Sequence, residues 1–384
     1  MMIASIDLDP IREELSLLRD VARQFIEDTH VPQLGAWARQ RHVDRAAWRA
    51  FGEQGLLLTD IPEEYGGAGG CFAHDAVIYD ELNRAGSTAF AIGRTVHAIC
   101  AHYVLNYGNE AQKRRWLPKM ASGELIGAIA MSEPGTGSDL KAIRTNAVRE
   151  GDHYRVDGAK TFISNGQLAD LVCVVVRTGA QGQRDALSLL MFETANLEGF
   201  ARGRNLDKIG LKAQDTSELF FDDVRVPVSA RLGEEGEGFA QLMRDLPYER
   251  TIVAVNAVAA MERAVALATE YVKQRSAFGQ PLIAFQNTRF ALAECATEAR
   301  VARVFVDDCI RRVVAGTLDT ETASMAKLWC TERQCSVVDA CQQLFGGYGY
   351  MTEYPIAEMY ADARVQRIYA GTNEIMKEVI ARSL

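Results

Sequence analysis

Glu249 stands where an apolar residue belongs. Leu242, Leu246, Val253, Ala257, Ala260 and Ala264 recur at helical spacing, and Glu249 falls three residues after Leu246 and four before Val253. A carboxylate on such a buried seam is desolvated, which penalises its charged form and lifts its pKa toward neutrality, as a general base requires. The plainer alternative is that Pro247 restarts the helix here and Glu249 is an ordinary first-turn acid. Three loops of small residues are the other candidates. Glu133-Pro134-Gly135-Thr136-Gly137-Ser138-Asp139 offers backbone N–H groups and hydroxyls to a polar ligand, or is simply a surface loop. Helix C-caps account for the glycines of Gly346-Gly347-Tyr348-Gly349-Tyr350 and of Tyr369-Ala370-Gly371-Thr372-Asn373. Caps do not explain why Ala370-Gly371-Thr372 directly precedes an amphipathic terminal helix, whose N-terminus could receive an anion or a carbonyl oxygen.

The elements that must position these residues change periodicity twice. From Pro10 to about Ser122 the pattern is helical. It begins with Ile11, Leu15, Leu18 and Ala22 ahead of Pro32, then predicts helices over Asp44–Gln54, Phe72–Arg84, Thr88–Asn106 and Glu110–Leu117, with a glycine-rich loop from Pro62 to Gly70. From about Gly123 to Pro227 the reading is strands. Tyr154-Arg155-Val156 and Lys160–Ser164 flank Asp157-Gly158 as a hairpin, Asn165-Gly166 makes a second turn, and Leu171–Arg177, Ala186–Phe192 and Glu218–Val226 follow. After Gly238, Phe239–Gln274, Phe285–Ala315, Thr320–Leu344 and a final turn from Thr372 form a helical bundle. The expectation is an α+β chain with a helical unit over 1–122, a β unit over 123–230 and a helical bundle over 231–384.

Composition excludes several functions. The 384 residues carry a formal net charge of −9, with 48% apolar and 24% charged residues, as in a globular protein rather than a disordered one. There is no basic tail to displace counterions from nucleic acid or to bind an anionic membrane, and no unbroken apolar run long enough to span one. Gly-x-Gly-x-x-Gly, Walker and Gly-x-Ser-x-Gly patterns are absent, so a dinucleotide would not sit on a Rossmann turn and hydrolase chemistry lacks support. His30, His42, His74, His97, His102 and His153 do not have metal-ligand spacing, so no metal is expected. The eight cysteines include no Cys-x-x-Cys pair, and Met1–Pro10 shows no leader signal; both predict free thiols in a soluble cytoplasmic protein.

The motifs together resemble the acyl-CoA dehydrogenase family over essentially the whole chain. The matching stretches are Tyr65–Gly69, Ser132–Asp139, Lys160–Gly166, Gly210–Thr216, Arg275–Gly279, Gln343–Gly347 and Ile368–Ile375, in the family's order. Leu246-Pro247-Tyr248-Glu249-Arg250 and the run from Ala363 resemble its long-chain branch. The resemblance implies an N-terminal helical domain, a middle β-barrel-like domain and a C-terminal four-helix bundle, with FAD between the last two and reaching a neighbouring subunit. It implies that Ala130, Met131, Ser132, Gly137 and Ser138 line flavin and thioester, that Phe162 and Ile163 pack by the isoalloxazine, and that Ser164 bonds near N5. Arg275, Phe278, Gln286, Gln343, Gly346 and Gly347 would hold the pyrophosphate and adenosine half, largely across a dimer interface, with Thr372 and Glu374 near the terminal helix.

In much of the family the catalytic glutamate precedes the Gly-Thr of the terminal loop, where this chain has Ala370. Branches such as the long-chain and isovaleryl types carry it on the first long helix of the bundle, where Glu249 matches. The resemblance therefore implies that Glu249 takes the pro-R α-proton of an acyl-CoA while the β-hydrogen leaves as hydride to FAD. The Ala370 backbone N–H and the flavin ribityl 2′-hydroxyl would bond the thioester carbonyl. Ser138, Arg250, Tyr369 and Gly371 would contact substrate, Arg250 being equally readable as a structural ion pair. An electron-transferring flavoprotein as acceptor, a role in fatty acid β-oxidation and a homotetramer, a dimer of dimers, complete the expectation. An acyl-carrier-protein-linked thioester, an acyl-CoA oxidase, a flavin monooxygenase and a noncatalytic flavoprotein scaffold stay open as alternatives.

Overall fold

In the computed structural model, residues 11–179 and 186–384 are described; Met1–Pro10, on which the expectation of no leader rests, lie outside them. The first third is helical: α1 (Arg12–Thr29), α2 (Leu34–Gln40), α3 (Arg45–Glu53), α4 (Phe72–Ala85), α5 (Thr88–Tyr107) and α6 (Glu110–Ala121). α1 buries Leu15 and Ala22 of the expected stripe, and also Ile26, against α4, while Ile11 and Leu18 are partly buried. α4 and α5 are buried nearly all round, which makes them the central helices of this part. α6 starts at an Asn109–Gln112 capping box and continues past Leu117, the expected end. Pro118 removes only the N–H that would reach the carbonyl of Arg114, a residue exposed enough for water to replace it.

The middle part is one eight-stranded sheet. Its strands are β1 (Gly127–Ala130), β2 (Asn146–Glu150), β3 (His153–Ser164), β4 (Leu171–Arg177), β5 (Leu187–Glu193), β6 (Phe200–Asn205), β7 (Thr216–Pro227) and β8 (Arg231–Leu232). The order is β6-β7-β3-β2-β4-β5-β8, with β1 parallel to β4. β4 reads as an unbroken apolar run because both faces are buried: Leu171, Cys173 and Val175 join the core shared with the helices, and Val172, Val174 and Val176 a second core inside the sheet. Strands from across the sheet feed that second core, the barrel-like curl expected of this part.

One expectation fails here. Asp157-Gly158 is not a hairpin turn, because β3 runs straight through it and pairs along its length with β7. Gly158 sits at a register shift in that ladder with φ 153°, and a Cβ on it would stand 2.5 Å from Thr145 Oγ1. Its glycine serves a bulge under close approach, not a reversal. The reversal comes at Gly151 (φ 67°) and Asp152, where Glu150 faces His153.

The last part holds α7 (Gly238–Gln274), a short hairpin β9 (Ser276–Ala277) and β10 (Gln280–Pro281), α8 (Gln286–Val314), α9 (Thr320–Leu344), α10 (Pro355–Ala363) and α11 (Asn373–Ala381). α7 is apolar and long enough to cross a bilayer, yet 78% of its most apolar stretch is buried in the protein. It packs on α4 and α5 as well as on α8 and α9, so it is shared by the first and last parts of the chain. Polar pins join the remaining parts. Arg45 donates to the Leu168 carbonyl at 2.9 Å and pairs with Asp170, and Trp116 Nε1 donates to Glu193 at 2.6 Å. The Asn165 side chain, held at φ 62°, donates to the carbonyls of Gly93 (2.8 Å) and Gly127 (3.0 Å).

Candidate active site

Glu249 lies inside α7, not in a first turn: the helix passes Pro247 without a break, and Thr251 Oγ1 takes up the Pro247 carbonyl at 2.7 Å. The carboxylate is 6% exposed, as the seam requires. Burial pushes its pKa up to about 7; a hydrogen bond from Tyr103 Oη (2.7 Å, to Oε1) opposes that rise, Asp245 one turn earlier adds to it, and Arg250 works against it.

The carboxylate opens on a cavity of about 200 Å³. Ile92, Thr95, Val96 and Ile99 line one wall at helical spacing on α5, and Glu249, Val253 and Asn256 line the facing wall on α7. Because Tyr103 meets Glu249 at one end, the wall residues run in opposite chain directions away from the acid. The amide of Asn256 is tied at the other end to Asn83 of α4, with 2.5 Å between them. The slot is therefore aliphatic along its length and acidic at its mouth.

The end of β3, the segment that follows β1 and the terminal loop close that mouth. Met131, Ser132, Phe162, Ile163 and Ser164 come from the sheet side, Tyr369 and Ala370 from the loop before α11. Two of these hold left-handed backbones that side chains avoid: Phe162 at φ 60° and Ala370 at φ 51°. Phe162 keeps 70% of its surface exposed, so the sheet presents a bare aromatic ring at the cavity rim. No hydrogen bond among the described residues engages the Ala370 N–H, which leaves a backbone donor free on the cavity wall.

Buried lysines hold both sides of the mouth. Lys160 Nζ donates to the Met131 carbonyl and to Glu133 Oε1, each at 3.0 Å, and Glu133 accepts from the backbone N–H groups of Arg144 and Thr145. Lys327 on α9 donates to the Gly371 carbonyl and to Asn373 Oδ1, each at 2.8 Å. Burial lowers the pKa of each ammonium to about 8. A Lys327→Met variant leaves the Gly371 carbonyl without its donor and the Asn373 amide oxygen with Thr331 Oγ1 alone. The expected result is a turnover rate lower by about 10- to 100-fold, because displacement of a reacting group by about 1 Å has that effect. Stopped-flow measurement of cofactor reduction, at unchanged cofactor content, checks it.

The structure gathers some expected site residues and separates others. Glu249, Ala370, Tyr369, Met131, Ser132, Phe162, Ile163 and Ser164 share the cavity. Arg275, Gln343, Gly346 and Gly347 line a second cavity, of about 480 Å³, at the far end of α7 and α9. Gly137, Ser138, Gln286, Glu374 and Phe278 stand exposed outside both, Phe278 at 96%. Gly371 and Thr372 are half-buried beside Ala370, with Thr372 capping α11 through the Ile375 N–H. Two expectations need correction. The Ala130 side chain points into the core inside the sheet, so only its backbone can face a ligand. Arg250 does not line this cavity: it is 3% exposed and donates through Nη1 to Ser324 on α9 at 2.9 Å, as fits a residue that ties α7 to the bundle.

The exposed Phe162 ring, the small polar Ser132 and Ser164 beside it and the free Ala370 N–H fit a flat, partly polar cofactor such as FAD laid across the mouth. Sequence reasoning missed Tyr103, Lys327 and the α5 wall. Tyr103 lies in an apolar stretch like any core tyrosine, and only its pairing across 146 residues marks it out.

Three family models match the chain: the N-terminal domain of acyl-CoA dehydrogenase over residues 12–124, the middle domain over 128–224 and the C-terminal domain over 236–384. The long-chain specific acyl-CoA dehydrogenase of Sus scrofa mitochondria is 46% identical over 373 residues, which cover 97% of this chain and 86% of that one. A crystal structure of an acyl-CoA dehydrogenase from Geobacillus kaustophilus is 46% identical with a TM-score of 0.95 and covers 99% of both chains. A glutaryl-CoA dehydrogenase from Mycobacterium smegmatis in complex with FADH2 is 27% identical with a TM-score of 0.91, covering 97% of this chain and 94% of that one.

Proposed function

This chain belongs to the acyl-CoA dehydrogenase family, and on that premise we propose that Glu249 is the base of an FAD-dependent α,β-dehydrogenation of acyl-CoA to trans-2-enoyl-CoA. The observation that carries the assignment is a buried carboxylate and an unengaged backbone N–H facing one aliphatic slot. FAD, when bound, supplies the acceptor for the β-hydrogen as hydride.

The chain's own residues do the rest. Ile92, Val96, Ile99 and Val253 take the acyl chain and exclude water from it. The α-proton passes to Glu249, whose burial makes it a stronger base than an exposed carboxylate. As the proton leaves, charge builds on the thioester oxygen, and the Ala370 N–H is the donor positioned to stabilise it; a preorganised donor of this kind is worth about 3 kcal/mol at the transition state. Phe162 would pack on the cofactor ring, with Met131, Ser132, Ile163 and Ser164 lining the same cavity. Arg275, Gln343, Gly346 and Gly347 would take an adenosine–pyrophosphate half in the second cavity. In a homotetramer Phe278 and Gln286 would reach a neighbouring subunit's FAD, Glu374 would contact FAD near the terminal helix, and Phe290, Val301 and Val304, exposed on α8, would be covered. Electrons leave to an electron-transferring flavoprotein. The eight unpaired thiols suit a reducing, cytoplasmic compartment.

Adding saturated acyl-CoAs from butyryl to palmitoyl to the anaerobic holoenzyme should bleach its yellow absorbance, and electron-transferring flavoprotein should restore it. No bleaching with any member of the series would remove the proposal. Because only the ionised carboxylate accepts a proton, the reduction rate per substrate encounter should rise with pH around a midpoint near 7 and flatten above it. A limb near the ordinary glutamate value of 4.5 would contradict the burial argument.

A further inference from the structure

We propose that Tyr103 is a positioning residue for the base: by donating its phenolic proton to Oε1 of Glu249 at 2.7 Å, it orients the carboxylate and leaves Oε2 as the oxygen that takes the substrate proton. The inference rests on the reading of Glu249 as the base and extends it to a residue of the N-terminal helical part.

Both partners are buried, and they come from α5 and α7, elements that meet only in the folded protein. An ionised carboxylate only accepts hydrogen bonds, so the phenol must be the donor. Burial and the neighbouring carboxylate push the Tyr103 pKa well above the ordinary tyrosine value, so the phenol keeps its proton at every pH the enzyme meets. The ring cannot swing away, since it is fully buried and stacks with Tyr107 at 6.2 Å between centroids. Tyr107 is itself held through its Oη to the Gln241 carbonyl at 3.2 Å, on the same helix as Glu249.

The other ionisable groups around the carboxylate leave this role to Tyr103. Cys173 on β4 is driven well above the ordinary thiol value by burial and stays neutral. Asp245 on α7 repels the carboxylate charge, and Arg250 spends its Nη1 donor on Ser324. Among the described residues, Tyr103 makes the one hydrogen bond that the Glu249 carboxylate receives. A carboxylate without it could turn about its last bond and present either oxygen to substrate, at either syn or anti geometry. It would also lose a donor that favours its ionised form.

The test is the pH dependence of anaerobic cofactor reduction in the holoenzyme, with the acyl-CoA that reduces it fastest in the butyryl-to-palmitoyl series. A hydrogen bond to a charged acceptor should appear as a limb displaced by about one pH unit. Tyr103→Phe, which keeps the ring, is expected to move the limb upward by that amount, so that the rate below it falls about tenfold while KM hardly changes. Site-specific 3-fluorotyrosine at residue 103 makes the donor more acidic without removing it and should move the limb the other way. An unmoved limb in both variants overturns the proposal, as does a uniform loss at every pH, which packing alone would produce. If Tyr103→Phe fails to fold with its cofactor, the fluorotyrosine enzyme decides alone. Glu249→Gln run in parallel separates the two readings: normal reduction in that variant removes the base itself, whatever Tyr103 does.

Discussion

Glu249→Gln should bind FAD and acyl-CoA yet reduce its cofactor about 10²- to 10⁴-fold more slowly than the parent, the span that a positioned general base contributes. Glutamine keeps the shape of the side chain and still offers Tyr103 an oxygen to bond, so the α5–α7 contact survives. What it lacks is a site for the α-proton. A second readout runs the other way. The folded-state pKa of Glu249, about 7, lies above its ordinary value of 4.5, so the folded protein holds an extra proton between those limits. Stability from this group is therefore present below pH 4.5 and is lost as pH rises through about 7, a penalty on the order of 3 kcal/mol at most. The glutamine variant escapes that penalty, so above pH 7 it should melt no lower than the parent. A catalytic acid kept at the expense of stability produces this pattern; a structural one does not. Normal bleaching, or a lower melting temperature above pH 7, would each count against the assignment.

The largest stability effect is expected at Arg303. Its guanidinium is fully buried on α8 and bonds Asp80 of α4 at 2.8 Å and Glu262 of α7 at 2.9 and 3.0 Å. It thereby clamps the helical first part to the bundle and fixes the helix that carries Glu249. Arg303→Met leaves two buried carboxylates facing each other with weakened compensation from Arg19 and Arg84. Removing one partner of such a pair costs about 3–5 kcal/mol, chiefly because charge is left behind in a dry interior. The melting temperature should fall by about 4–6 °C. Adding Asp80→Asn and Glu262→Gln to that variant removes the orphaned charges and should recover most of the loss; no recovery would mean that Arg303 acts by packing.

Local patterns in the chain reported what local physics controls. The Thr320–Leu344 helix is present with those bounds, with Asp319 capping it through the Thr322 N–H, and α7 differs by one residue, because a sustained apolar stripe fixes a helix without reference to the rest of the fold. The run Leu171–Arg177 is a strand for the same reason. Asp157-Gly158 misled because a glycine serves a tight turn and a bulge under close approach equally well, and only Thr145, brought up by the neighbouring strand, decides between them. The nine-residue helix α10 was not among the expected elements.

The site divides along the same line. Glu249 was legible because a carboxylate breaking an apolar seam is visible in a one-dimensional pattern, and burial follows from the seam. What that acid faces was not. The Tyr103 donor lies 146 residues away, Lys327 reaches the Gly371 carbonyl across 44, and the aliphatic wall comes from a helix whose sequence reads as core on every side. By itself the sequence determined the family, the three-part order of helix, sheet and helix, and the identity of the buried acid, since periodicity and desolvation act along the chain. The tertiary structure alone decided which oxygen of that acid is held, which backbone N–H stays free and where the slot runs, because a hydrogen bond is set by distances of about 3 Å between groups that sequence order does not bring together.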